Sequence, residues 1–292
     1  MSLGPHLLLA LLEGLVAASV LAVTALGLSL VFGVMRIVNV AHGAFFMLGA
    51  VLAAAFAGLV GGHAALGFLL AIVASPLAVG AIAVVADRLV LQRLNYQPEA
   101  TIVATIGLLY VIEQATLMTY GPDAHAVEPF LDFRVRFPWF GYSGYKLVVI
   151  AVSAALLLAV WLGIARTRFG LVMRATQLDR ETATAFGVPV GRVYAAVFAL
   201  GAMLAAIAGV LIVPIRQAHY LMGLDPLLQS FIVVILGGLG SLRGTLVAAL
   251  LIGVSDGMVS VFFSPTLAKI LATLLVALVL VWRPGGLFGA KA

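Results

Sequence analysis

The chain has 292 residues, of which 64% are hydrophobic and only 9% charged; its mean hydropathy is +1.23 and its formal net charge +5. A soluble domain carries roughly 45–50% apolar and about 25% charged residues, so the composition excludes a soluble protein and predicts one membrane domain over residues 1–292. The apolar runs approach the ~20 residues of a spanning helix and do not alternate, which predicts an all-α polytopic transmembrane bundle rather than a barrel; the absence of cysteine excludes disulfides and thiolate chemistry.

No Lys or Arg precedes the first apolar run, which therefore lacks the basic start of a cleaved signal peptide and reads as a retained span. That run covers 7–34 with a single charge, Glu13. MRIVNVAHG follows, with Arg36, Asn39 and His42. A second span covers 44–60, and Gly61-Gly62-His63 is a turn. The third, 66–86, contains Pro76, which a membrane helix tolerates. A polar stretch with Arg88 and Arg93 leads to the fourth, 100–119, which carries Glu113 and Gln114 inside it. An aromatic loop then precedes the fifth span, 147–165.

Residues 166–192 form a basic island with Arg166, Arg168, Arg174, Arg180 and Arg192. The sixth span is 193–215. The apolar stretch 227–236 is too short to cross a ~30 Å core at ~1.5 Å per residue. It ends in GGLGSLRG, 237–244, and the short segment and its glycines together are expected to carry the chain across. Spans at 245–263, with Asp256, and 267–282 complete eight full spans plus one short segment. Cationic loops stay in the cytoplasm. Placing the island there puts Arg36, Arg88, Arg93, Arg243, Arg283 and Lys291 inside, and Arg134, Arg136, Lys146, Arg216 and Lys269 outside, with the N-terminus out and the C-terminus in. That bias accounts for the basic charge without nucleic acid.

No HExxH, Walker lysine loop or GxSxG occurs, so neither an enzyme nor ATP hydrolysis by this chain alone is expected, and no metal or cofactor. Glu13, Glu113, Asp256, His42 and His63 are too scattered to form a proton relay by spacing. Residues 175–186 read as one short helix, with Gly187 at its C′ position and Pro189 where a helix has stopped. Such a unit is either an ordinary loop or a docking element. Gly237, Gly238, Gly240 and Gly244 around Ser241 make one possible helix break, and Asn39, His42 and Gly43 another. Paired breaks point to a transport pathway; tight cytoplasmic turns are the competing reading, which Arg36 and Arg243 favour. For Glu113 with Gln114, and for Asp256, hydrogen bonding between helices is the default. The aromatics between Phe130 and Tyr145 read as an interfacial belt.

Glu181, Ala183 and Gly187 resemble the EAA loop of ABC importer permeases, although Thr182 stands at the second position of that pattern, in place of its first Ala. GLSLVFGVMRIVNVAHGAFFMLGA, VILGGLGSLRGTLVAALLIGV and the ending VWRPGGLFG resemble, in order, the signatures of LivH-type permeases of branched-chain amino acid ABC importers. The resemblance implies a multi-pass inner-membrane permease subunit. Its expected partners are a second, related permease, two ATP-binding subunits and a periplasmic or lipid-tethered binding protein. It implies that Glu181, Ala183 and Gly187 contact the ATPase. A pathway would involve Asn39, His42, Gly43, Glu113, Gln114, Gly238 and Ser241. Urea and short-amide permeases look alike at this level, and a secondary transporter or channel is the alternative from another class.

Overall fold

The computed structural model describes residues 3–60, 63–283 and 285–288. Five long helices come first: α1 (Leu3–Met35), α2 (His42–Leu59), α3 (Ala64–Ala86), α4 (Pro98–Tyr120) and α5 (Gly144–Arg166). A π-helical turn, Asp87–Leu91, extends α3, and Pro76 sits within α3 without ending it. Two short helices, α6 (Arg168–Leu178) and α7 (Arg180–Ala185), precede α8 (Val190–Ile212). Three more follow: α9 (Leu224–Gly237), α10 (Leu242–Phe262) and α11 (Pro265–Trp282). Among the described residues, seven helices are long and apolar enough to cross a membrane, and α9 and α11 are further apolar helices. The expected spans correspond to α1 to α5, α8, α10 and α11, and the short segment to α9. Gly61, Gly62 and Lys291 lie outside the described residues.

The core forms where small residues let helices touch. Lipid tails are as apolar as leucine, so helices associate in a membrane by close packing rather than hydrophobic burial. A Cβ on Gly27 of α1 would stand 2.7 Å from the Gly201 carbonyl oxygen of α8. One on Gly14 would stand 2.8 Å from the Val254 Cα of α10. Thr245 Oγ1 also donates to Ser29 Oγ at 2.9 Å, tying α1 to α10. Helices α1 and α8 are thereby enclosed, whereas α4, α5 and α11 carry exposed residues such as Val103, Leu158, Trp161 and Leu274 that suit a lipid surround.

The packing repeats internally. α1 lies on α10 as α8 lies on α3, α2 lies on α8 as α9 lies on α1, and α2 meets α4 as α9 meets α11. Corresponding helices touch reciprocally: Gly27 with Gly201, and Gly43 with Gly223, each glycine against the other's carbonyl. The two ends of the bundle are distinct. At the basic end, α6 and α7 gather with Arg36 and Tyr96. At the opposite end, Lys146 Nζ pairs with Glu13 at 2.6 Å, and residues of the connection after α4 bridge those after α8 through His125 and Ala218.

The aromatic loop departs from a simple belt. Its two strands, β1 (Arg134–Arg136) and β2 (Gly141–Ser143), pair antiparallel with Val135 opposite Tyr142. Phe130 stacks on Phe68 at 4.1 Å, and Tyr145 Oη donates to the Leu211 carbonyl at 2.8 Å. Part of the loop is thus core, while Trp139 is 63% exposed.

Candidate functional site: the basic loop and the broken helices

The basic island folds back on the bundle. Thr167 caps α6, its Oγ1 accepting from Gly170 N at 3.2 Å, and the Arg174 guanidinium donates to the Ile164 carbonyl at the end of α5. The single helix expected over 175–186 is instead two, broken at Asp179. The reason is local: the Asp179 carboxylate accepts from Glu181 N at 2.9 Å, from Thr182 N at 3.1 Å and from Thr182 Oγ1 at 2.5 Å, so this residue caps a new helix rather than continuing the old one. The hydrogen bond from the Thr182 hydroxyl, with those from the backbone, holds the Asp179 carboxyl below the usual carboxylate range.

α7 ends as its sequence predicts. Gly187 has φ +80°, Gly187 N donates to the Thr184 carbonyl, and Val188 N donates to the Ala183 carbonyl. Left-handed backbone after a helix favours glycine. Ala183 is 5% exposed and packs inward, whereas Glu181 and Gly187 face outward.

What fastens α7 to the membrane helices is a cation–aromatic clamp. The Arg180 guanidinium lies 5.6 Å from the Tyr194 ring centre on α8 and 6.0 Å from that of Tyr96. The two rings meet edge to face at 4.8 Å. Tyr96 Oη donates to Asp87 Oδ2 at 3.3 Å, on the π-helical turn after α3. Burial, with the Asp87 carboxylate behind it, pushes the Tyr96 phenol above its ordinary range. Among the described residues, the non-glycine residues with positive φ are Arg36, Asn95 and Tyr96, all at this end. Such backbone costs of order 1–3 kcal/mol per residue and persists where packing enforces it. A cavity of about 390 Å³ opens beside the clamp, lined by Arg36, Gln177, Arg180 and Glu181, and one of about 600 Å³ lies between Arg174 and Gly240.

The helix break near Asn39 lies against the middle of α1. After Met35 the chain leaves α1 and returns alongside it without helix until α2 starts at His42. His42 Nε2 donates to the Thr24 carbonyl at 2.9 Å, and Thr24 lies midway along α1 between Glu13 and Met35. Thr105 of α4 supports the irregular backbone, its Oγ1 accepting from Val40 N at 3.2 Å. Asn39 and His42 are fully buried, and both amide atoms of Asn39 and Nδ1 of His42 lack a hydrogen-bond partner among the described residues.

Of the two readings of 237–244, the chain there forms the turn between α9 and α10. Gly223, preceding α9, packs on Gly43, so the N-termini of α2 and α9 abut near the centre of the bundle. The stretch 213–223 leads into α9, and 237–244 is a tight turn at the basic end. There Gly238, φ +100°, caps α9, and Ser241 Oγ accepts from Gly244 N at 3.2 Å to start α10. The glycines of this turn serve contact as well as conformation: Gly237 meets Gly244 and Gly240 meets Gly33.

Glu113 and Gln114 part company, because consecutive helical residues point about 100° apart: Glu113 is 4% exposed, and Gln114 faces outward. The helix-to-helix hydrogen bond expected of Asp256 does not form among the described residues. Sequence reasoning missed Tyr96, Tyr194 and Gly223. No local pattern links Arg180 to rings 84 residues before it and 14 after it, although Gly223 next to Leu-Asp-Pro could have been read as a helix start.

The comparisons with known proteins agree with this architecture. The family described as "Branched-chain amino acid transport system / permease component" matches residues 10–280. The chain is 26% identical to the high-affinity branched-chain amino acid transport system permease protein BraD of Pseudomonas aeruginosa, over 97% of this chain and 96% of that one. It is 27% identical to the LivH permease protein of Escherichia coli K12, over 95% and 94%, and 26% identical to that of Salmonella typhimurium, over 95% and 94%. With the family covering nearly all of a multi-pass helical bundle, the chain belongs to the permease components of the branched-chain amino acid transport systems.

Proposed function

We propose that this chain is one of two permease subunits in an ATP-driven importer of branched-chain amino acids in the inner membrane, the second being a related chain. ATP-binding subunits grip α6 and α7 from the cytoplasm, with Glu181 and Gly187 presented to them and Ala183 anchoring the helix from within. A binding protein delivers substrate to the opposite end. The relatives named above, all permeases of branched-chain amino acid systems, support this substrate over urea or a short amide. Uptake without an ATPase finds no comparable support.

The observation that carries the reading is the Arg180 clamp. A helix that only closed a loop would need no attachment to two separate membrane elements. Arg180 joins α7 to α8 directly and to the α3–α4 connection through Tyr96. A displacement of α7 by closing ATPases therefore moves α8, and α8 contacts α1, α2 and α3 around the central break. The break at Asn39, His42 and Gly43 is the proposed hinge of the pathway, with Glu113 buried farther along α4 and Gly238 and Ser241 forming its cytoplasmic turn.

The test is reconstitution in proteoliposomes with the ATP-binding subunits and binding protein. ATP-dependent uptake of leucine, isoleucine or valine is expected, with none when the ATPases are omitted. Uptake by this chain and its permease partner alone, driven by an ion gradient, overturns the mechanism. Because the chain has no cysteine, a single cysteine placed at Thr184 reports topology directly. It should react with a membrane-impermeant maleimide only after the cells are opened.

A further inference from the structure

Between α9 and α11, over a floor of α1 and α10, lies a cavity of about 370 Å³. Its walls are aliphatic, supplied by Leu21, Leu228, Ile232, Ile235, Ile252 and Val276. Into it three helices each bring one charge: Asp225 from α9, Asp256 from α10 and Lys269 from α11. Lys269 Nζ donates to Asp225 Oδ2 at 2.7 Å, and both side chains remain more than half exposed. Asp256 lies within α10, one turn from Gly253, which packs on Ala18 of α1. Its carboxylate accepts no hydrogen bond among the described residues. A carboxylate at membrane depth ordinarily finds a helix partner or serves a passage. This one, half-buried, lines the cavity beside Asp225, Gln229, Lys269 and Thr273.

We propose that this cavity holds the transported amino acid as its zwitterion, with the α-carboxylate on Lys269, the α-ammonium on Asp256, and the branched side chain among Leu228, Ile232 and Val276. The inference rests on the transport reading above and assigns it a site. The complementarity is twofold. The ligand offers both signs of charge at one end and a hydrocarbon body at the other, and the cavity is arranged in the same way. Its volume falls at the lower limit of the ~300–1,000 Å³ usual for small-molecule sites, which suits a metabolite of this size. The position also fits delivery: the cavity lies toward the end opposite α7, where a substrate from outside arrives first.

The experiment uses the assembled permease–ATPase complex in nanodiscs, without binding protein, irradiated with the diazirine analogue of leucine and mapped by peptide mass spectrometry. Adducts on α9 and α11 at the cavity wall are expected, suppressed by excess L-leucine. Asp256→Asn and Lys269→Gln should each lower the suppressible adduct about tenfold, the loss of one charge-assisted hydrogen bond. Ala272→Leu, which fills the cavity without touching a charge, should make L-alanine a better competitor than L-leucine. That variant carries the test should the charge variants fail to assemble. Adducts that leucine does not suppress, or that these variants leave unchanged, overturn the proposal. A complex that imports leucine yet shows no suppressible adduct at the cavity sinks the site and leaves the transport reading standing. A complex that imports no branched-chain amino acid sinks both.

Discussion

Replacing Arg180 by Ala removes the clamp and nothing else that the fold needs. The guanidinium is at the surface, while the two rings beneath it are buried, Tyr96 at 7% and Tyr194 at 4% exposure. A cation over one ring is worth about 0.5–1 kcal/mol when exposed and about 2 kcal/mol when desolvated. Shared over two rings at 5.6 and 6.0 Å, with the cation half in water, the clamp contributes about 1–2 kcal/mol. Losing it lowers the docked population of α7 by about 5–30-fold. The membrane bundle itself should assemble as before, because Tyr96 and Tyr194 still pack edge to face. The assay is the number of ATP molecules hydrolysed per amino acid imported in proteoliposomes containing the complete transporter. That ratio should rise several-fold in Arg180→Ala while hydrolysis continues. Arg180→Lys should fall between, since an ammonium keeps the charge but cannot stack as a plane. An Arg180→Ala transporter with the unaltered ratio would refute the idea that force passes from α7 to α8 through this contact.

Gly187 tests the end of the same helix. Open space surrounds it and its φ is +80°, so Gly187→Asn should couple nearly normally, Gly187→Ala should lose about 1–2 kcal/mol of loop order, and Gly187→Pro, which also deletes the bond to Thr184, should hydrolyse ATP without uptake. Thr105→Val strips the hydroxyl that accepts from Val40 N. An unpaired buried amide costs about 1–3 kcal/mol, so a cysteine placed at Val38 should react with a thiol reagent roughly 5–150-fold faster, and Thr105→Ser should restore protection. Acid should loosen α7 through Asp179. Its carboxyl is held below the ordinary range by hydrogen bonds from Thr182 and the backbone. That contribution is therefore complete above the unfolded value near ~4 and is lost as pH falls through the lower folded value. A spin label at Thr184 should become mobile over that acid window, and the transition should vanish in Asp179→Asn.

Composition and run length alone determined that this chain is a helical membrane bundle, because a helix satisfies its own backbone and needs only about 20 apolar residues to cross. They located the spans to within a few residues, and the Gly187-x-Pro189 pair marked where α7 stops. Asp179 was visible as a polar residue, but its capping role depends on which amides it reaches, so one expected helix became two. The glycines at 237–244 stayed open to two readings, helix break or tight turn, because glycine density is a local signal that serves both. The actual break, at Gly223, exists because α9 begins against Gly43, and only the tertiary structure brings residues 180 positions apart into contact. The same holds for the Arg180 clamp and for the charges of Asp225, Asp256 and Lys269. A sequence records which side chains are costly to bury in lipid; the packing of one helix on another decides which of them meet.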